Sequence, residues 1–131
     1  MVCLDTTFII DLLRNNKEAV SIKEKLEKSS ESIAIASPTI IELIRGLDSI
    51  HLRKDEENKI NNFIDSIIVY PLGKQSAITS GNIHRELSKN GDIIDLEDIM
   101  IAGIVLTNNE KLITRNVKHF ERIKGLKIEG Y

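Results

Sequence analysis

Three acidic residues occupy positions where a folded chain could gather them into one site. Asp5 directly follows the apolar run at residues 2–4, and Asp98 opens an apolar helical pattern that leads into a later predicted strand. Glu42 lies in the second turn of a helix predicted to begin after residue 36. Because sites in open parallel sheets form beyond the carboxyl ends of the strands, we expect the three carboxylates to meet at that edge.

The helical pattern of residues 37–47 places Glu42 on the polar side of its helix. The apolar residues of this segment are Ile40, Ile41, Leu43, Ile44 and Leu47. At about 100° per residue these side chains cluster on one side, nearly opposite Glu42. We therefore expect the apolar side to pack on the core and Glu42 to point into the cleft.

Carboxylates that converge without partners repel one another, so such a cluster makes chemical sense when a cation neutralises it. Oxygen ligands without a neighbouring Cys or His cluster suit Mg²⁺ or Mn²⁺ better than Zn²⁺. His84 and His119 have no Cys, His or Ser partner nearby in the sequence, which argues against a zinc site or a nucleophilic triad. The pattern indicates phosphate chemistry assisted by a divalent metal.

Each acidic residue also has a purely structural interpretation. Asp5 can cap the helix that follows it, and Glu42 can be a solvated helix residue. Asp95 and Asp98 have the spacing of a capping box, with Asp95 at the N-cap. Three further acids are interpreted as structural or solvated: Asp11, Asp92 and Glu97.

Short apolar runs alternate with longer amphipathic ones along the whole chain. Strands are predicted at residues 2–5, 33–36, 67–70 and 111–114, with a possible edge strand at 126–129. Helices are predicted at about 6–13, 17–29, 37–47, 55–66, 74–89 and 95–107, and a short helical turn at 117–123. Thr6 or Thr7 and Ser37 are expected to cap the helices that follow them. This alternation predicts an α/β domain with a parallel sheet covered on both faces.

Composition limits the remaining possibilities. The chain has 131 residues, one cysteine and a net charge of −2, which predict one globular domain in a reducing, cytoplasmic setting. The charge argues against a protein that coats nucleic acid by bulk electrostatics. No apolar run approaches the roughly 18 residues of a membrane span, so no membrane association is expected.

Three motifs resemble those of PIN-domain proteins of the VapC toxin type. They are LDTTFIIDLL at the start, SPTIIELIRGL in the middle, and DLEDIMIAGIVLTNNEKLITRNVKHFERIKGL near the end. The resemblance implies a single PIN domain over residues 1–131, with a three-layer α/β/α fold and a central parallel sheet of four to five strands. It also implies an Mg²⁺- or Mn²⁺-dependent endoribonuclease in which metal-activated water cleaves RNA. Such toxins act in toxin–antitoxin pairs, so a VapB-type antitoxin and a homodimer are the expected partners.

The resemblance assigns roles to individual residues. Asp5, Glu42 and Asp98 correspond to the metal ligands, and Thr6 and Thr114 to supporting polar residues. Many PIN domains have a fourth acid where this chain has Asn116. Asn116 and Asp95 are therefore further candidates for the metal site. The missing acid also motivates an alternative, a catalytically weak PIN domain that binds RNA or protein.

Four basic residues lie close in sequence to the three motifs and are predicted to contact RNA phosphates. They are Arg14, Arg45, Arg115 and Lys118. For Arg14 and Arg45, the alternative is a salt bridge or interaction with a helix C-terminus.

Overall fold

The computed structural model describes residues 1–47 and 54–131 and contains a five-stranded sheet. All strand pairs are parallel, and the strand order is β3-β2-β1-β4-β5. The strands are β1 (Val2–Leu4), β2 (Ile33–Ala36), β3 (Ile68–Tyr70), β4 (Lys111–Thr114) and β5 (Lys127–Gly130). The predicted α/β class is thus confirmed, including the fifth strand at the edge.

Helices connect the strands and cover both faces of the sheet. They are α1 (Thr6–Leu13), α2 (Lys17–Lys28), α3 (Ser37–Gly46), α4 (Lys54–Ser66), α5 (Lys74–Lys89), α6 (Leu96–Thr107) and α7 (Val117–Phe120). The helical turn after β4 is shorter than predicted, since α7 ends at Phe120 rather than near residue 123.

Two hydrophobic clusters form the core, one on each face of the sheet. Val2 and Leu4 face the cluster that includes residues of α1, α2, α3 and α4, whereas Cys3 faces the cluster formed mainly by α5, α6 and α7. Successive side chains of a strand point to opposite faces, so β1 contributes to both clusters. Burial raises the pKa of the Cys3 thiol to about 12, so this residue acts as a small apolar side chain.

The position of β1 between β2 and β4 fixes the edge of the sheet at which a site can form. β1 lies between β2 and β4, and the chain leaves β1 for β2 in one direction and reaches β4 in the other. The crevice beyond the carboxyl end of β1 is therefore the point at which the strand order reverses. Asp5 directly follows β1 and is 2% exposed.

Two of the predicted helix caps, those of α1 and α3, are wrong. Asp5, not Thr6 or Thr7, occupies the N-cap position of α1, and its side chain makes no capping hydrogen bond. Ser37 lies inside α3, and its hydroxyl accepts a hydrogen bond from the Leu72 backbone N–H instead. Asp95 occupies the N-cap position of α6, as predicted, but its side chain makes no capping hydrogen bond. The capping interpretation therefore leaves the Asp5 and Asp95 carboxylates unexplained.

Close packing of α5 against α6 depends on a glycine. A Cβ atom at Gly103 would lie 2.0 Å from Ser80 Oγ and 2.9 Å from the Ser76 carbonyl oxygen. We expect Gly103→Ala to lower the free energy of unfolding by about 1–3 kcal/mol, because the two helices must move apart. Gly81→Ala on α5 is the matched control, since its Cβ would meet nothing within 4 Å. Equal melting temperatures for the two variants would contradict this account of the packing.

Helices in the described ranges, 1–47 and 54–131, include none that combines the length and apolarity of a membrane span.

Candidate metal centre

The fold brings together the three carboxylates that the sequence singled out. One oxygen from each of Asp5, Glu42 and Asp98 lies within 4.8 Å of the others. Asp5 follows β1, Glu42 lies in the second turn of α3 after β2, and Asp98 is in the first turn of α6. The expected convergence is observed, while the role of these residues as metal ligands stays a prediction.

Burial and mutual repulsion both act on this cluster. Burial, followed by the negative charges of Asp5 and Asp98, raises the pKa of Glu42, although the Thr6 hydroxyl opposes this effect. Burial also raises the pKa of Asp98, with a smaller contribution from Asp5. Three anionic groups held in this way favour a bound cation, since a divalent ion would offset both their repulsion and their desolvation.

Two threonine hydroxyls fix the carboxylate of Asp5. Thr114 Oγ1 donates to Asp5 Oδ2 over 2.7 Å, and Thr7 Oγ1 donates to the same oxygen over 2.9 Å. The backbone N–H of Asn116 donates in turn to Thr114 Oγ1 over 2.9 Å. Both hydroxyls bond Oδ2, so they hold the Asp5 carboxylate in one orientation.

Glu42 lies on α3, but the side chain that holds it comes from α1. Thr6 Oγ1 donates to Glu42 Oε1 over 2.7 Å, linking α1 to α3. The apolar side of α3 is only partly buried as predicted, because Ile41 and Ile44 are exposed while Leu43 is buried. The helix is rotated so that Glu42 is half-buried against α1 instead of pointing fully away from the core.

His119 is a site residue that sequence reasoning missed. Its Nδ1 lies 3.2 Å from Asp98 Oδ2, and this hydrogen bond partly opposes the raised pKa of Asp98. The two residues are 21 positions apart, so no local pattern joins them. Topology could have identified His119, because α7 begins soon after β4 ends and so lies at the same edge of the sheet as Asp5.

The two additional metal-site candidates have different positions. Asp95 is exposed and does not belong to the cluster of three acids, although its charge contributes to the raised pKa of Asp98. Asn116 is connected to the site by its backbone, through Thr114. Thus Asp95 acts on the site by its charge, and Asn116 remains a predicted ligand.

The four predicted phosphate-binding residues differ in their positions and contacts. Arg14 follows the end of α1, nine residues from Asp5, or about 13 Å along the helix. Arg45 pairs with Glu97 over 2.9 Å, which joins α3 to α6. Arg115 pairs with buried Asp11 over 3.0 Å, and Lys118 is exposed on α7. The salt-bridge alternative for Arg45 is therefore observed, and Arg14 is remote from the carboxylates.

Three acids earlier interpreted as structural or solvated all have basic partners. Asp11 pairs with Arg115, Glu97 with Arg45, and Asp92 with Arg122 at 3.7 Å. Asp11 is buried, at 4% exposed, so its interpretation as structural is the one the contacts support.

Removal of the Thr114 hydroxyl is expected to weaken metal binding. Thr114→Val keeps the side-chain shape but leaves Asp5 Oδ2 with one hydroxyl donor, so its carboxylate is less firmly oriented. We expect Mg²⁺ affinity to fall by about tenfold or more, as for other partners of ligating carboxylates. Isothermal titration measures this effect. Thr107→Val, which removes a hydroxyl bonded to the Gly103 carbonyl away from the site, should leave Mg²⁺ affinity unchanged.

Comparisons with known proteins agree with the geometry. The family model described as PIN domain matches residues 2–126. The tRNA(fMet)-specific endonuclease VapC of Salmonella typhimurium is 31% identical over 128 residues, covering 98% of this chain and 96% of that protein. Ribonuclease VapC1 of Methanocaldococcus jannaschii is 33% identical over 130 residues, covering 97% of this chain and 85% of that protein.

Solved structures extend the agreement to the whole fold. A crystal structure of VapBC2 from Rickettsia felis, bound to a DNA fragment from its promoter, has a TM-score of 0.88 at 26% identity and covers 100% of this chain and 99% of that one. DNA-bound VapBC from Salmonella typhimurium has a TM-score of 0.87 at 31% identity, covering 99% and 98%. The fold, the positions of the acids and the sequence relatives therefore agree: the chain belongs to the PIN-domain family and, within it, to the VapC ribonucleases.

Proposed function

We propose that this chain is a divalent-metal-dependent endoribonuclease and the toxin of a VapBC-type toxin–antitoxin pair. The observation that carries the proposal is the cluster of Asp5, Glu42 and Asp98 at the point where the strand order reverses. VapC relatives named as ribonucleases, with matches over nearly the whole chain, support the same activity.

The donor set fits a hard cation. Three carboxylates supply oxygen ligands, and Mg²⁺ or Mn²⁺ is the proposed ion. When bound, such an ion would lower the pKa of a water molecule and neutralise negative charge that develops on the phosphate. Asp5, Asp98 and Glu42 would hold the ion, with Asn116 as a further oxygen ligand.

The surrounding residues of the chain orient these ligands. Thr7 and Thr114 fix Asp5, Thr6 fixes Glu42, and His119 contacts Asp98. Because these contacts hold the carboxylates in one arrangement, the carboxylates need little rearrangement when the substrate arrives. The site is thus organised for metal-assisted hydrolysis of a phosphodiester.

The proposed partners follow from the relatives. Solved VapBC structures pair a toxin with an antitoxin on DNA, and we propose a VapB-type antitoxin for this chain. A homodimer is also proposed, since Ile41 and Ile44 of α3 are exposed and Leu72 and Leu96 line a shallow cavity of about 350 Å³. A cytoplasmic setting and a single domain over residues 1–131 complete the proposal.

A cleavage assay on purified RNA tests the function. Total RNA and transfer RNA are incubated with the wild-type protein in Mg²⁺, with the wild-type protein in EDTA, and with Asp98→Asn in Mg²⁺. Transfer RNA is included because the Salmonella relative is named as specific for tRNA(fMet). We expect discrete cut sites only with the wild-type protein and Mg²⁺. RNA binding without cleavage in every condition would support the alternative, a PIN domain that acts as a binding module.

A further inference from the structure

A buried carboxylate outside the metal cluster is shared by an arginine and a tyrosine. Asp11 is 4% exposed and lies on α1. Arg115 Nη1 donates to Asp11 Oδ1 over 3.0 Å, and the Tyr131 hydroxyl donates to Asp11 Oδ2 over 2.7 Å. Both carboxylate oxygens are thus used, as an ionised group at this depth requires.

Tyr131 is itself fixed by the core. Its ring packs edge-on against Phe8, with ring centroids 5.5 Å apart and an interplanar angle of 84°. Burial and the hydrogen bond to Asp11 raise the pKa of Tyr131, so its hydroxyl keeps the proton that it donates. The tyrosine therefore holds Asp11 in one orientation.

Arg115 is anchored at two points but remains open to solvent. Its backbone N–H donates to Thr7 Oγ1 over 3.2 Å, and Thr7 in turn donates to Asp5. Its guanidinium is held by Asp11, yet the side chain is 56% exposed. A guanidinium has five N–H donors, so those not used by Asp11 are available to another anion.

The position of this guanidinium separates it from the metal ligands. Asp11 is six residues beyond Asp5, which corresponds to about 9 Å along α1. The end of the Arg115 side chain lies next to Asp11, so it would meet a phosphate other than the one at the carboxylates. An arginine held rigid beforehand loses less entropy when it binds a phosphate.

We infer that Arg115 forms a second phosphate subsite for the RNA backbone and that Asp11 and Tyr131 are the positioning residues that hold its guanidinium. The inference rests on the proposed function, which supplies RNA as the ligand, and it adds where a neighbouring phosphate is bound. Phosphate contacts set the register of a nucleic acid without reading its sequence. The subsite would therefore align the strand for cleavage at the metal cluster.

Binding of a labelled single-stranded oligouridylate tests the subsite, because the contact does not depend on base sequence. Affinity is measured against salt concentration with Ca²⁺ replacing Mg²⁺, and gels check that the RNA stays intact. For Arg115→Gln we expect an affinity loss of about tenfold and a salt slope that is shallower by about 0.7. Arg85→Gln, at an exposed position on α5, is the matched control and should change neither quantity.

Two more variants separate positioning from charge. Tyr131→Phe keeps the ring on Phe8 but frees Asp11, and we expect an affinity loss of roughly threefold with an unchanged salt slope. Arg115→Lys keeps a cation beside buried Asp11, so it should fold even where Arg115→Gln does not. We expect Arg115→Lys to lose RNA affinity without a change in the salt slope. The charge is kept, but lysine lacks the planar guanidinium that fits a phosphate.

The outcomes distinguish the subsite from the proposed function. If Arg115→Gln and Arg115→Lys bind RNA like Arg85→Gln, with only melting temperatures lowered, the network is merely structural and the inference is overturned. A wild-type protein that still cleaves RNA in that case leaves the proposed function standing. A wild-type protein that neither binds nor cleaves RNA overturns both.

Discussion

Asp98→Asn is expected to lower Mg²⁺-dependent RNA cleavage by about 10³-fold or more, because it removes a charged oxygen ligand from the metal cluster. The same substitution should not destabilise the metal-free protein. Burial and the charge of Asp5 already raise the pKa of Asp98, so the neutral amide relieves a repulsion. We therefore expect loss of activity together with an equal or higher melting temperature in EDTA.

The control for this variant is a second Asp→Asn substitution, made at Asp92, which lies outside the cluster. Asp92 lies in the loop before α6 and pairs with Arg122, away from the three acids. Asp92→Asn should cleave RNA within about twofold of the wild type, since a surface pair of this kind contributes little. If Asp98→Asn retained wild-type cleavage, Asp98 would not be a ligand and the proposed mechanism would fail.

Mg²⁺ is expected to stabilise the folded protein strongly, and only at a pH where the cluster is ionised. At a free concentration of about 100 times the dissociation constant, the ion would add about 2.7 kcal/mol to the free energy of unfolding. For a chain of this length that corresponds to a rise in melting temperature of roughly 8 °C. Differential scanning calorimetry with and without Mg²⁺ measures the rise.

The pH dependence has a definite sign. The pKa values of Glu42 and Asp98 lie above the ordinary values of 4.5 and 3.8, so the folded state binds more protons than the unfolded state just above those values. Without metal, the contribution of these groups to stability is present at lower pH and is lost as the pH rises through the raised pKa values. Mg²⁺ should act in the opposite direction, since it binds the ionised carboxylates.

Comparison with Asp98→Asn completes the test. We expect Mg²⁺ to raise the melting temperature of this variant much less than that of the wild type. A similar rise for both proteins, or a rise that persists below the ordinary pKa values of the acids, would place the bound ion elsewhere.

The sequence predicted the sheet because its strands depend on local patterns, and it predicted the central acids because the order of strands and helices places them at one edge. Apolar runs bounded by polar residues marked the strands, and parallel pairing followed from the intervening helices. Asp5 and Asp98 were located by topology, since one follows a strand and the other opens a helix that leads into the next strand. The confirmed α/β class and the convergence of the acids both follow from that reasoning.

Contacts between distant segments could not be predicted from the sequence. His119 meets Asp98, and Thr114 meets Asp5, only because β1 and β4 end, and α6 and α7 begin, at the same edge of the sheet. Sequence proximity to an acid does not by itself bring a basic residue close to it in space. Arg14 is close to Asp5 along the chain, but a helix of eight residues separates them in space.

The rotation of α3 shows a limit of the helical wheel. The wheel gave Ile41 and Ile44 the same inward side as Leu43, but both are exposed in the structure. An apolar stripe shows which side of a helix avoids water, but it does not show what covers that side. A partner chain can cover it instead of the core. Glu42 is instead fixed by its contact with Thr6 from α1.

A crystal structure with Mn²⁺, using the anomalous signal of the metal, tests the central claim most directly. We expect an anomalous peak at the carboxyl edge of the sheet, about 2.0–2.2 Å from oxygens of Asp5 and Asp98. Glu42 should lie at the same distance or one water molecule further away. A peak elsewhere, or none at the three acids with Mn²⁺ in excess, would contradict the assignment of these carboxylates as the metal site of a nuclease.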